Sequence, residues 1–243
     1  MNKQELIDVY QDTLNKIKKI PIPYSKKYKL DTNLEIMSGG KKANVLVEPI
    51  DTVSAIIKYS KSGKVAVLNM ASSKRKGGGV INGSRAQEES LFRCSNLVHI
   101  PDNYYPLNYN DYILTEDSHF IKDFNYNDMT PIKCDVISVA AINLNNNHID
   151  IKEKYNIDYD DLMTTKIYNM LIACKNCNTI ILGAWGCGVF NNDPKVVSKL
   201  FKQTIEKYNL DSLYDNIIFA VINDHNSVDN NFKIFKDEFT RSI

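Results

Sequence analysis

The sequence predicts an α/β fold, with a central, largely parallel sheet covered by helices on both faces and a helical extension in front of it. Three observations carry this. Short apolar runs of buried-strand length alternate with segments of helical periodicity through most of the chain. Two glycine clusters fall where a strand gives way to a helix. The first forty or so residues stand apart, as one amphipathic helix followed by prolines and a polar stretch. Buried strands alternating with helices place helices on both sides of a sheet.

The elements follow in order. Leu6, Ile7, Tyr10, Leu14 and Ile17 recur at helical spacing over residues 4–18, and Pro21 and Pro23 stop that helix. Residues 1–42 are therefore read as an extension packed on a main domain, 43–243. Val45-Leu46-Val47 is a short strand, and a helix follows from Asp51 with Val53, Ile56 and Ile57 inward. Val65 to Met70 is a buried strand, and a helix is expected from about Ser84 to Val98. The Tyr-, Asn- and Asp-rich stretch 101–130 reads as an irregular excursion containing a hairpin. Val136 to Ile142 is a strand, Tyr159 to Ala173 a helix, and Thr179 to Leu182 a strand. Pro194 to Tyr208 is a helix with Asp193 as N-cap and Pro194 at its first position. Ile217 to Ile222 is the last strand, and Phe232 to Phe239 a closing helix.

Composition excludes several function classes. Thirty basic and 29 acidic residues leave a formal charge of +1, which argues against a dedicated duplex-DNA binder. No apolar run is long enough to span a bilayer, and the charged N-terminus has no apolar segment of signal-peptide type. Five cysteines at positions 94, 134, 174, 177 and 187 are odd in number and lack framework spacing. They suit a reducing compartment, so an intracellular, cytoplasmic setting is expected, with the nucleus also open. Cys174 and Cys177 form one CxxC, but no second pair or His cluster completes a zinc set, so no metal and no cofactor is expected. The four histidines (99, 119, 148 and 225) are scattered in polar surroundings. Trp185 is read equally as a base-stacking or a packing residue.

Seven of the ten glycines sit in two places, at 77, 78, 79 and 83 and at 183, 186 and 188. Glycine costs backbone entropy, so such clustering implies unusual dihedral angles or close approach of the backbone to a ligand. Gly183 to Phe190 (GAWGCGVF) lies between a buried strand and the Asp193-Pro194 helix start. A turn of this kind can aim successive N–H groups at an anion such as a diphosphate. The other cluster runs Gly77-Gly78-Gly79, seven residues, then Gln87-Glu88-Glu89 at a helix start. Acids in a first helical turn also complement the helix dipole. Beside three glycines at the same sheet rim they gain a second reading, as site carboxylates. Ligands of parallel sheets bind at that rim.

The pattern GGG…QEE resembles the signature of the microbial-type poly(ADP-ribose) glycohydrolases. Leu68-Asn69-Met70-Ala71-Ser72 resembles that family's strand exit. Cys134-Asp135-Val136 through Ala140-Ala141-Ile142-Asn143 is similar to its D-V-I…A-A-P-N strand, and Gly183 to Phe190 with Asp193-Pro194 to its diphosphate loop. The similarity runs from about residue 43 to the C-terminus. Ile142 stands where the family usually has Pro, Lys76 where it often has Pro, and residues 107–123 keep only a trace of the pattern.

What the resemblance implies is a macrodomain-like, three-layer α/β/α fold with a mixed, largely parallel sheet. ADP-ribose would lie across the two loops. Glu89 would be the general acid, Glu88 would hold ribose hydroxyls, and Gln87 would fix the turn. Gly77, Gly78, Gly79 and Asn69 would line the substrate side. Gly186, Cys187, Gly188 and Val189 would offer backbone amides to the diphosphate, and Phe190 would pack near the distal ribose. The adenine is expected near Phe219 to Asp224 and Phe232. The expected activity is hydrolysis of ribose–ribose O-glycosidic bonds in poly(ADP-ribose), with ADP-ribosylated macromolecules as partners and no membrane or sequence-specific nucleic acid. A general acid needs a raised pKa at neutral pH. A like-charged neighbour and burial push upward, whereas a helix N-terminus pushes downward. Removal of single ADP-ribose units, and a non-catalytic ADP-ribose reader, are the alternatives. A nucleotide-dependent oxidoreductase lacks its G-x-G-x-x-G at the first strand.

Overall fold

The structure is a computed structural model and describes residues 1–145, 151–223 and 230–240. Its centre is a seven-stranded mixed sheet in the order β1-β4-β5-β3-β6-β7-β2. The strands are β1 (Tyr24–Lys29), β2 (Asn44–Glu48), β3 (Val65–Met70), β4 (Asp111–Lys122), β5 (Asp128–Val139), β6 (Thr179–Leu182) and β7 (Asn216–Ala220). Five neighbours, β5, β3, β6, β7 and β2, run parallel, and β4 and β1 complete the sheet antiparallel. The helices are α1 (Lys3–Lys16), α2 (Thr52–Tyr59), α3 (Gln87–Cys94), α4 (Ile151–Tyr155), α5 (Tyr159–Ala173), α6 (Pro194–Lys207) and α7 (Asn231–Thr240).

Side chains that alternate along each strand divide the core in two, as the period of two requires. Val65 and Val67 of β3 join one cluster with Val53 and Ile56 of α2, Leu91 and Phe92 of α3, and Tyr10 of α1. Ala66 and Leu68 of the same strand join the other, with Ile167 and Leu171 of α5, Phe201 of α6 and Phe235 of α7. The result is the expected three-layer α/β/α arrangement.

The differences from the sequence reading have physical causes. Residues 24–29, read as part of a polar stretch, form edge strand β1, although their sequence is YSKKYK. The strand is held by its pairing to β4 and by the fully buried Asp111 carboxylate, which receives Lys27 Nζ at 2.9 Å and Lys29 Nζ at 2.5 Å. The stretch 101–130 is less irregular than expected, because half of it belongs to the long strands of the β4–β5 hairpin. Period-two burial was masked there by Tyr, Asp and Asn, and by a bulge between Thr115 and Ser118. Helix α3 is shorter than expected. Residues 80–86 form a tight turn instead, with Gly83 at φ +72° and no room for a Cβ against the Lys3 backbone.

Helix α1 starts with a reciprocal cap between Asn2 and Glu5 and docks on α3. Arg93 of α3 is fully buried; its Nε donates to the Leu6 carbonyl at 3.1 Å and an Nη to that of Ser84 at 2.5 Å. Thr13 Oγ1 donates to the Arg93 carbonyl at 2.5 Å. The N-terminal helix thus braces the helix that opens with Gln87-Glu88-Glu89.

Candidate functional site

Strand β3 ends at Met70, and the chain crosses the glycine-rich loop to start α3 at Gln87. The Gln87 side chain staples the two together: its Oε1 accepts from the Met70 N–H at 3.0 Å and its Nε2 donates to the Leu68 carbonyl at 2.6 Å. It thereby satisfies backbone groups at the end of the strand. The helix has no side-chain cap of its own, since Ala86 is the N-cap residue.

This staple places Glu88 and Glu89 against the loop, each more than nine-tenths buried. Glu88 is engaged at both oxygens. Oε2 accepts from the Ser72 N–H at 2.8 Å, and Oε1 faces Asn69 Nδ2 at 3.4 Å. Asn69 is itself held by Ser138 Oγ at 3.0 Å. Glu89 is engaged at one oxygen only. Its Oε1 accepts from the Gly79 N–H at 2.8 Å, and its buried Oε2 has no partner. Burial pushes the Glu88 carboxyl up to about 8, assisted by the charge of Glu89 and opposed by the Ser72 and Asn69 donors. For Glu88, burial therefore prevails over the helix N-terminus.

The glycines are explained by the same contacts. Gly78 adopts φ +56°, and a Cβ there would lie 2.5 Å from Glu89 Oε1 and 3.0 Å from Glu88 Oε2. Only glycine brings the loop this close to both carboxylates. A Cβ on Gly77, at φ +69°, would strike the Phe92 ring at 2.7 Å.

The second loop follows β6. Gly186, at φ +78°, turns the chain so that Asn192 can tie it. Asn192 Nδ2 lies within donating distance of the carbonyls of Ile142, Gly186 and Phe190 at 2.8, 3.0 and 3.2 Å. Its Oδ1 accepts from Tyr159 Oη at 2.6 Å. Among the described residues, the N–H groups of Gly186, Gly188, Val189 and Phe190 have no partner. The Cys187 N–H is taken by the Ala184 carbonyl at 3.1 Å and its side chain is buried, which removes Cys187 from the expected amide donors. Four unpaired N–H groups ahead of helix α6 can hold a phosphate or diphosphate.

A cavity of about 650 Å³ runs along this rim. Met70, Ala71 and Gln87 line one wall; Gly186, Gly188, Val189 and Phe190 line another. Ala220, Val221, Ile222 and Asn231 close it on the β7 side, beside Ile50 to Val53. Glu88, Glu89 and Gly77 to Gly79 are not part of this lining. Phe219 lies in the core against Phe201 and Phe239, not in the cavity, and Phe232 is not in the lining either. Asp224, the last residue of that expected adenine region, lies outside the described residues, as do His148 and His225.

Other sequence candidates fall away. Trp185 is fully buried with Nε1 donating to the Val139 carbonyl at 3.0 Å, a packing role. Cys174 and Cys177 are buried thiols, and no group of residues that could hold a metal occurs among the described residues. Lys76 is tied to the carbonyls of Val98 and Ile100 and to Asp102, whereas its neighbours Lys74 and Arg75 are exposed. Sequence reasoning missed the roles of Ser72 and Asn192. The signal for Asn192 was its place directly before the Asp193-Pro194 helix start.

Residues 3–122 match the family described as microbial-type PARG, catalytic domain, where PARG stands for poly(ADP-ribose) glycohydrolase. Over those residues the chain resembles the microbial-type poly(ADP-ribose) glycohydrolases. Its whole fold agrees with solved structures bearing that name. The chain is similar to poly(ADP-ribose) glycohydrolase from Thermomonospora curvata, with TM-score 0.80, 20% identity, and coverage of 97% of this chain and 100% of that one. The same enzyme bound to the inhibitor ADP-HPD gives TM-score 0.78 at 18% identity, with the same coverage. The Deinococcus radiodurans enzyme in complex with ADP-ribose gives 0.71 at 20% identity, covering 98% of this chain and 90% of that one. A comparison with curated proteins yields no significant match. Among the described residues no helix is long and apolar enough to cross a membrane.

Proposed function

We propose that this protein is a poly(ADP-ribose) glycohydrolase, which hydrolyses the ribose–ribose O-glycosidic bond and releases ADP-ribose, with Glu89 as general acid and then general base. The observation that carries this reading is the unequal treatment of the two carboxylates. Glu88 has both oxygens occupied, whereas Glu89 is fixed by Gly79 at one oxygen and free at the other. A fixed carboxyl with one unclaimed oxygen can present a proton in a defined direction.

Two carboxylates usually flank a glycosidic bond from opposite faces. Adjacent residues of one helix cannot do so, and one group must serve twice. The Glu89 carboxyl gives its proton to the bridging oxygen as the bond from the anomeric carbon to that oxygen breaks. The resulting oxocarbenium-like sugar lies near the substrate's own diphosphate, held by the amides of Gly186, Gly188, Val189 and Phe190. The Glu89 carboxylate then takes a proton from water as the water oxygen bonds to the anomeric carbon. Glu88 and Asn69 hold ribose hydroxyls, Gly77 to Gly79 shape the floor, and Phe190 packs on the distal ribose. The adenine lies toward Ala220 to Ile222 and Ile50 to Val53.

Residues 43–243 constitute the catalytic domain in this reading, and residues 1–42 an extension whose helix braces α3 and whose strand extends the sheet. Five buried free cysteines fit a reducing, cytoplasmic setting. The test is product analysis by mass on two substrates, poly(ADP-ribose) chains and a protein carrying single ADP-ribose units. Free ADP-ribose released from the chains supports the proposal. Release from the singly modified protein alone would replace it with mono-ADP-ribosyl hydrolysis.

A further inference from the structure

We propose that Tyr105 contacts the substrate, its hydroxyl serving a sugar hydroxyl of the ribose beside Glu88, and that it thereby favours ADP-ribose over ADP. This rests on the function proposed above.

The placement comes first. The Leu107 N–H donates to the Ser73 carbonyl at 2.8 Å, which docks residues 105–107 on the loop whose Ser72 N–H holds Glu88. Tyr105 is thereby brought to the Glu88 side of the loop, near enough for the Glu88 charge to act on its hydroxyl. The state of its hydroxyl comes second. Tyr105 Oη is buried and has no hydrogen-bond partner, although the residue as a whole is only half-buried. The adjacent Tyr104 differs, since its Oη donates to the Ser25 carbonyl at 3.2 Å. Leaving a buried hydroxyl unpaired is costly, so a site that keeps one has a use for it. Burial, and the Glu88 charge close by, hold this phenol protonated, well above the ordinary tyrosine range.

Chemical complementarity comes third. Glu89 Oε2 and Asn69 Oδ1 are likewise buried and unpartnered at this site, and both are acceptors when the carboxyl is ionised. A ribose hydroxyl donates one hydrogen bond and accepts others, so acceptors alone leave it half satisfied. With Glu89 ionised, Tyr105 supplies the O–H donor that these acceptors lack. A vicinal diol matches such a mixed set. ADP, which has no second ribose, offers nothing to it.

The test compares wild type, Tyr105→Phe and Tyr104→Phe by calorimetric titration with ADP-ribose and with ADP. Thermal melting of each ligand-free protein and kcat/KM on poly(ADP-ribose) complete it. For Tyr105→Phe we expect ADP-ribose affinity to fall about 3–10-fold, ADP affinity to stay as in wild type, kcat/KM to fall at least as far, and the ligand-free melting temperature not to drop. For Tyr104→Phe we expect a lower melting temperature and an unchanged ratio of the two affinities. Wild-type-like binding and turnover by Tyr105→Phe would overturn the inference. So would equal weakening of ADP and ADP-ribose together with a lower melting temperature, which marks a packing role. Wild-type protein that binds neither ligand would overturn the functional reading itself.

Discussion

The backbone N–H of Gly79 donates to Glu89 Oε1 at 2.8 Å, across ten residues of a loop that turns back on the start of its own helix. The loop thus acts as a backbone clamp on a carboxylate. Its closeness depends on Gly78, whose backbone passes so near both glutamates that a single methyl group would collide with them.

Gly78→Ala is accordingly expected to damage the site more than the fold. The added Cβ would meet Glu89 Oε1 at 2.5 Å in a left-handed conformation that alanine adopts at a cost of about 1–2 kcal/mol. Relief requires the carboxylate or the loop to shift. Hydrolysis of poly(ADP-ribose) should fall by about 100-fold or more, since a displacement near 1 Å costs that much in positioned catalysis. Steady-state kinetics beside a melting curve checks this, and full activity at wild-type stability would contradict it.

Much of this site was legible in the sequence, because its parts are local. Gly77 to Gly79 and Gln87 to Glu89 lie on one short segment, and their joint placement follows from a buried strand running into a helix. The β6 loop is similarly compact. What was not legible depends on distant partners. Tyr24 to Lys29 became a strand only because β4 offered an unpaired edge and Asp111 a buried counter-charge for Lys27 and Lys29. The loop that carries Tyr105 meets the loop of Ser72 through the hydrogen bond from Leu107 to Ser73. Asn192 reads as an ordinary loop asparagine until the carbonyl of Ile142, fifty residues away, is brought beneath it.

Glu88 gives the stability of the ligand-free protein a pH dependence of definite sign. Its carboxyl is raised from 4.5 to about 8 in the fold, so the folded chain favours the protonated form. That contribution is complete below about pH 4.5 and is lost as pH rises through about 8. The span corresponds to roughly 3–5 kcal/mol. Glu88→Gln should flatten this part of the profile and melt higher than wild type at pH 8.5. Denaturant titrations from pH 5 to 9 check it; parallel profiles for the two proteins would mean that Glu88 is not the titrating group.

Asn192→Ala should loosen the second loop. It removes the amide that bridges the carbonyls of Ile142, Gly186 and Phe190 and strands the Tyr159 hydroxyl. The expected cost is about 2–4 kcal/mol in stability, the scale of several unsatisfied buried groups. Affinity for ADP-ribose should fall about 10-fold or more as the free amides lose their common aim. Titration calorimetry with ADP-ribose, run well below the variant's melting temperature, measures this. Unchanged affinity would show that the loop holds its shape without the asparagine.

The most direct measurement of the central claim compares wild type and Glu89→Gln on poly(ADP-ribose), with released ADP-ribose followed by mass and ADP-ribose binding by calorimetry. The amide keeps the shape of the side chain and can still accept from the Gly79 N–H, but it cannot deliver and recover a proton. The account predicts that turnover falls by about 10²–10⁴-fold while ADP-ribose affinity stays close to that of wild type. Turnover by Glu89→Gln at the wild-type rate would contradict the assignment of the acid to Glu89.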